Sequence, residues 1–127
     1  MSERDGFRVA ARAQSFRNAF RGVAVMLRDE HNARIHAAAT LAVCALAGWL
    51  GLSRLEWCAL VLAMALVWAA EGMNTALEHL GDATSVERDP RIGRAKDAAA
   101  GAVLLAAAGA AVVGLLVLGP PLLARFG

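Results

Sequence analysis

The sequence predicts an all-α membrane protein: an N-terminal amphipathic surface helix followed by three transmembrane helices. Three observations carry that prediction. The 127 residues are 58% hydrophobic, with a mean hydropathy of +0.50, too apolar for an ordinary soluble domain of this size. The apolar residues collect in three long runs separated by short polar stretches. The basic residues gather before the first run and between the second and third. One membrane domain spanning 1–127 accounts for the whole chain. So short a chain cannot bury its apolar surface in a large core of its own, so lipid, neighbouring helices or other copies must cover it.

From 7 to 28 the pattern is amphipathic. Phe16, Ala19, Phe20, Val23 and Leu27 recur at helical spacing, while Arg17, Arg21 and Arg28 fall on other faces. Charges interrupt it too often for a span. It suits a helix lying in the headgroup region with its arginines toward anionic lipid. The first thirty residues lack the continuous apolar stretch of a signal peptide. A polar hinge, Arg28-Asp-Glu-His-Asn-Ala-Arg-Ile-His36, leads into the first span at 32–52, with Arg34 and His36 expected to snorkel to the interface. Gly51-Leu-Ser53-Arg54 reads as a tight turn flanked by Trp49 and Trp57, the aromatic belt of one membrane face. Cys44 and Cys58 lie in apolar runs and read as small packing residues.

The second span and its cytoplasmic extension cover 55–82, and Glu56 is expected at the far interface. At about 100° per residue, Glu71, Asn74, Glu78 and Asp82 fall within roughly 80° of one another on this helix. Glu71 lies about three residues, or roughly 5 Å, inside the near interface. Acidic groups at such depth are costly and need a partner, a cation or a function. The polar stretch 83–95, with Pro90 and Gly93 as breakers, reads as a loop. Lys96-Asp97 opens the third span, 96–118, whose many Ala and Gly residues permit close helix packing. Gly119-Pro120-Pro121 is expected to end it, leaving a short tail.

Eleven of the 13 basic residues lie before the first apolar run, which starts at Ala37, or between the second and the third, which starts at Ala98. The positive-inside rule places the N-terminus and that loop in the cytoplasm. Glu30, the acidic stripe and Lys96-Asp97 then share one interface. Clustered carboxylate and amide oxygens suit Mg²⁺, lysine and arginine suit phosphate, and Glu71 suits a proton acceptor. That set fits phosphoryl transfer, although the chain has neither a P-loop nor the protein-kinase motifs. An ion or proton transporter is a second reading, since intramembrane acids also mark ion paths. A structural or regulatory membrane protein is a third. His31, His36 and His79 lack the spacing of a zinc site and read as interfacial or solvated.

Glu71-Gly-Met-Asn74-Thr-Ala-Leu-Glu78-x-x-x-Asp82, with Lys96-Asp97 fourteen residues beyond Asp82, resembles the signature of the prokaryotic diacylglycerol kinase/undecaprenol kinase family. Ser15-Phe-Arg-Asn-Ala19, Gly22 and Glu30-His-Asn-Ala-Arg-Ile-His36 fit the same family, and the resemblance covers about residues 14 to 118. The Glu-x-Asn-x-Arg-Ile-His wording and Thr75 lean to the undecaprenol kinase branch. The resemblance implies a homotrimeric lipid kinase of the bacterial cytoplasmic membrane, with sites shared between neighbouring subunits. It would use ATP and Mg²⁺ to phosphorylate a lipid hydroxyl, preferably that of undecaprenol, with diacylglycerol as the alternative. Glu71 would be the general base, and Glu30 and Glu78 the metal ligands. Asn18, Glu30, Glu78, Glu87, Arg88, Asp89, Lys96 and Asp97 would bind nucleotide. Asn74 and Asp82 would support the polar site, with Glu71 and Ala100 on the lipid side. Gly72 and His79-Leu80-Gly81 depart from the family pattern, and Gly81 is expected to let the helix bend before the loop.

Overall fold

The computed structural model describes residues 3–84 and 88–127. They form four helices: α1 (Glu3–Asp29), α2 (His31–Leu50), α3 (Arg54–Thr84) and α4 (Pro90–Phe126). Helices α2, α3 and α4 are long and apolar enough to cross a membrane. Their packing agrees with a lipid setting. Leu41, Leu62, Leu105 and Leu116 are exposed, and the buried cluster is small, built on Ala47, Leu60 and Leu118. Water would not tolerate apolar surface on this scale. The closest pairing is α3 against α4, where alanines at Ala99 and Ala106 are buried. Small side chains let two backbones approach and gain dispersion contacts.

The connections explain the boundaries. α1 and α2 are separated by one extended residue, Glu30, at φ −108° and ψ 116°. The polar hinge is thus a single-residue break. Arg34 has specific partners at this break. Its Nε donates to the Leu27 carbonyl at 3.0 Å and its Nη2 to that of Arg28. The guanidinium satisfies carbonyls that the end of a helix leaves unpaired. α2 ends at Gly51, whose φ of 68° is the left-handed conformation glycine adopts without strain. Ser53 and Glu56 then form a reciprocal capping box. The Glu56 amide donates to Ser53 Oγ and the Ser53 amide to Glu56 Oε1, both at 3.2 Å. Glu56 is therefore a helix cap.

Three expectations are corrected. α4 begins at Pro90, six residues before Lys96, so its first turn occupies part of the expected loop. Pro90 starts the helix because its fixed φ suits the first helical position and its missing N–H is no loss there. Asp89 caps it, its Oδ1 accepting from the Arg91 amide at 2.9 Å. α4 also runs through Pro120 and Pro121 to Phe126. Gly119 has no Cβ to clash with the following proline ring, which removes much of the usual bias against helix before proline. Beyond the prolines, Phe126 packs 6.0 Å from Trp49 and the Arg125 guanidinium lies 4.3 Å over the Trp49 ring. Those contacts favour the continued helix. Finally, α3 continues as helix through Gly81 to Thr84 rather than bending there.

Hydrogen bonds from the Arg91 side chain and then its amide hold the Asp89 carboxyl below its ordinary range. A depressed carboxyl stabilises the fold above its unfolded pKa and loses that contribution as pH falls through the folded value. Hydrogen exchange at the Arg91, Ile92 and Gly93 amides is therefore expected to accelerate in acid below the usual carboxylate range. Asp89→Ala is expected to show fast exchange at neutral pH; unchanged exchange in that variant would remove Asp89 as the cap.

Candidate functional site at the polar end of α3 and α4

Because α3 is helical throughout Arg54–Thr84, its acidic stripe stays on one face. The stripe grades from buried to exposed. Glu71 is 2% exposed, Asn74 and Glu78 are half-buried, and Asp82 is exposed. The order follows distance from the apolar part of the helix: Glu71 faces His36, while Glu78 and Asp82 share Lys96.

At the outer end, Lys96 joins α4 to α3. Its Nζ lies 3.0 Å from Glu78 Oε2 and 2.5 Å from Asp82 Oδ1. Glu78 and Asp82, one turn apart, present two acceptors to one ammonium. Gly81 makes the reach possible. A Cβ built there would stand 2.7 Å from Lys96 Cε and 3.0 Å from Ile92 Cγ2. The glycine is a clearance for the lysine stem.

At the inner end, Glu71 Oε1 lies 3.9 Å from His36 Nε2 on α2. Thr75 is buried one turn later, with its hydroxyl satisfied by the Glu71 carbonyl at 3.0 Å. A second link fixes α2 against α3: Trp68 Nε1 donates to Thr40 Oγ1 at 3.0 Å, and Thr40 Oγ1 donates to the His36 carbonyl at 2.7 Å. Between the two ends, Asn74 Oδ1 is buried and has no hydrogen-bond partner. An orphaned buried acceptor calls for a donor or a cation. α1 closes over this region through Met26, whose sulfur would sit 3.3 Å from a Cβ at Gly72. A shallow groove lined by Ala19, Met26, Gly72, Thr75 and His79 runs between α1 and α3.

The structure thus brings Glu78, Asp82 and Lys96 together and seats Glu71 and Asn74 on the same face. Glu30 is half-buried at the α1–α2 break, and its side chain does not cap α2. Asn18 is exposed on α1 and accepts from Gln14 at 3.0 Å. Arg88, Asp97 and Ala100 are exposed. Asp89 is engaged by Arg91, with Nη2 to Oδ2 at 2.9 Å. Glu87 lies outside the described residues. Among the described residues no three His, Cys, Asp or Glu side chains of one chain form a metal-holding group. Sequence reasoning missed the polar link Trp68–Thr40–His36 and the pairing of His36 with Glu71. Periodicity places residues on faces of their own helix, but not which face of α2 meets α3.

A family profile described as prokaryotic diacylglycerol kinase matches residues 17–118. The chain is 38% identical over 109 residues to an undecaprenol kinase of Bacillus subtilis (strain 168), covering 86% of this chain and 89% of that protein. It is 43% identical over 110 residues to a diacylglycerol kinase of Synechocystis sp. (strain ATCC 27184 / PCC 6803 / Kazusa), covering 86% of this chain and 63% of the relative. With a profile spanning most of the sequence, and with two such relatives, the chain belongs to the prokaryotic diacylglycerol kinase family and is a lipid kinase.

Proposed function

We propose that this kinase transfers the γ-phosphoryl group of ATP to the hydroxyl of undecaprenol, giving undecaprenyl phosphate. The observation that carries the reading is the position of Glu71: a buried carboxylate where an apolar span ends, on the same face as the Lys96 ion-pair cluster. A membrane-embedded alcohol reaches Glu71 from the apolar side, and a soluble phosphate donor reaches Lys96 from the polar side. Glu71 accepts the hydroxyl proton as the oxygen attacks the γ-phosphorus, the bond to the β-phosphate oxygen breaks and ADP leaves. Thr75 and the Glu-x-Asn-x-Arg-Ile-His run favour undecaprenol. The similarity to a protein named diacylglycerol kinase supports diacylglycerol as the second reading.

Lys96 meets the donor phosphates, which requires it to leave part of its pairing with Glu78 and Asp82. Asn18, Arg88, Asp89, Asp97 and Glu87 are the further nucleotide contacts that the family resemblance supports, with Asp82 supporting the polar site and Ala100 on the lipid side. Mg²⁺ fits this end of the molecule. It is satisfied by one or two carboxylates plus phosphates and water, so it does not need a three-acid cage. Glu78 already draws a cation, Lys96, and Asn74 Oδ1 offers an unpaired acceptor nearby on the same face. Glu30 and Glu78 would hold the ion. Bound with ATP, Mg²⁺ neutralises charge that builds on the phosphates. The arginine distribution supports a cytoplasmic N-terminus and α3–α4 connection in the bacterial inner membrane, with α1 on the headgroup surface. The exposed apolar faces and the small residues of α4 support a homotrimer.

Mixed micelles containing Mg·ATP and either undecaprenol or diacylglycerol at equal mole fraction test the reading. Faster transfer to undecaprenol is expected. Preference for diacylglycerol would replace the acceptor, and no product from either would reject the reading. Glu71→Gln is expected to lower transfer about 10²- to 10⁴-fold while nucleotide binding survives; wild-type turnover in this variant would exclude Glu71 as the base. Gly81→Ala is expected to displace Lys96 and raise KM for Mg·ATP about tenfold, the worth of one charge-assisted hydrogen bond, with KM for lipid unchanged.

A further inference from the structure

Resting on the lipid-alcohol kinase reading above, we propose that His36 is a second contact of the acceptor hydroxyl, so that the alcohol oxygen is clamped between His36 Nε2 and Glu71 Oε1. Four observations converge on it. The two atoms are 3.9 Å apart, too far for a direct hydrogen bond. One oxygen about 2.8 Å from each bridges that gap. Glu71 is 2% exposed, so its carboxylate needs a partner. Lys96 is paired with Glu78 and Asp82, and Arg34 with the carbonyls ending α1. Among the described residues, His36 is the partner that faces Glu71.

The third observation is where His36 points. It lines a cavity of about 270 Å³ between α2, α3 and α4, whose other walls include Val43, Leu60, Met64, Val67 and Ala110. Pockets for whole small molecules begin near this size, so the cavity takes a segment of hydrocarbon chain rather than a complete lipid. Val67 is one turn from Glu71 on α3, so the same cavity leads toward the carboxylate. A chain lying in it delivers its terminal hydroxyl to His36 and Glu71 together. The fourth observation is rigidity. The bonds from Trp68 to Thr40 and from Thr40 to the His36 carbonyl fix the first turns of α2 against α3. The spacing of the two backbones that carry ring and carboxylate is thereby set by the fold.

The division of labour is definite. The acceptor O–H donates to Glu71 Oε1, and the His36 Nε2–H donates to the acceptor oxygen. When Glu71 takes the proton, the oxygen forms its bond to the γ-phosphorus as the bond to ADP breaks. His36 keeps its proton throughout and steadies the charge developing on the oxygen. The clamp requires the tautomer with the proton on Nε2.

Two measurements on the full-length protein in micelles test this. Without nucleotide, ¹⁵N-histidine NMR follows the His36 ring, assigned by its loss in His36→Gln, as undecaprenol or the matched polyprenyl hydrocarbon lacking the hydroxyl is added. The alcohol is expected to move the Nε2 resonance, and the hydrocarbon is not. Equal responses, or none, would overturn the proposal, whether or not lipid is phosphorylated. In the kinase assay, His36→Leu is expected to lower kcat/KM for lipid about 10²-fold with KM for Mg·ATP unchanged. His36→Gln, which keeps an N–H donor, is expected to stay within about tenfold of wild type, the scale of one hydrogen bond. Wild-type lipid kinetics in a folded Leu variant would also overturn it. If the wild type phosphorylates no lipid yet its ring responds to the alcohol, the kinase reading fails and the hydroxyl clamp stands.

Discussion

One buried carboxylate sets the terms for this end of the molecule. Glu71 sits in the wall of an apolar helix, where an unpaired charge is expensive and a paired one must be held precisely. The surrounding structure answers with position rather than with a strong ion pair. His36 stands off at 3.9 Å, and the link from Trp68 through Thr40 ties its backbone to α3. A tight salt bridge would make Glu71 a poorer proton acceptor. A carboxylate held near a donor, but not against it, stays available to a substrate oxygen.

The outer end solves a different problem. Glu78 and Asp82 repel each other along one helix face, and Lys96 relieves both at once. That arrangement is a backbone property as much as a side-chain one. The open space at Gly81 admits the lysine stem, whose Cε would stand 2.7 Å from a Cβ there. The early start of α4 has the same logic. Its cap at Asp89 and its proline at the first position put Lys96 well inside a regular helix, where its direction is fixed.

Much of this was legible in the sequence, for a physical reason. Spans announce themselves because lipid selects long apolar runs, and the acidic stripe follows from helical periodicity alone. Pro90 and Pro120-Pro121 read as breakers in the sequence, yet all three lie within α4. The effect of proline depends on neighbours: Asp89 before Pro90 makes a cap, and Gly119 before Pro120 removes a clash. Arg34 and His36 read as interfacial because a charge beside an apolar run is a local feature. Their partners, carbonyls of α1 and a carboxylate of α3, are contacts between helices that periodicity does not encode. Gly81 was read as flexibility when it provides space, a distinction visible only with Ile92 and Lys96 in place.

The Arg34 clasp at the end of α1 has a mechanical meaning. Two helices that meet through one extended residue would ordinarily swing freely. Here the guanidinium belongs to α2 and grips the last carbonyls of α1, turning a loose joint into an elbow. Glu30 is the pivot of that elbow, and His36 lies fewer than two turns along its second arm. α1 and α2 are thus tied twice across the break, once by the backbone and once by the Arg34 guanidinium.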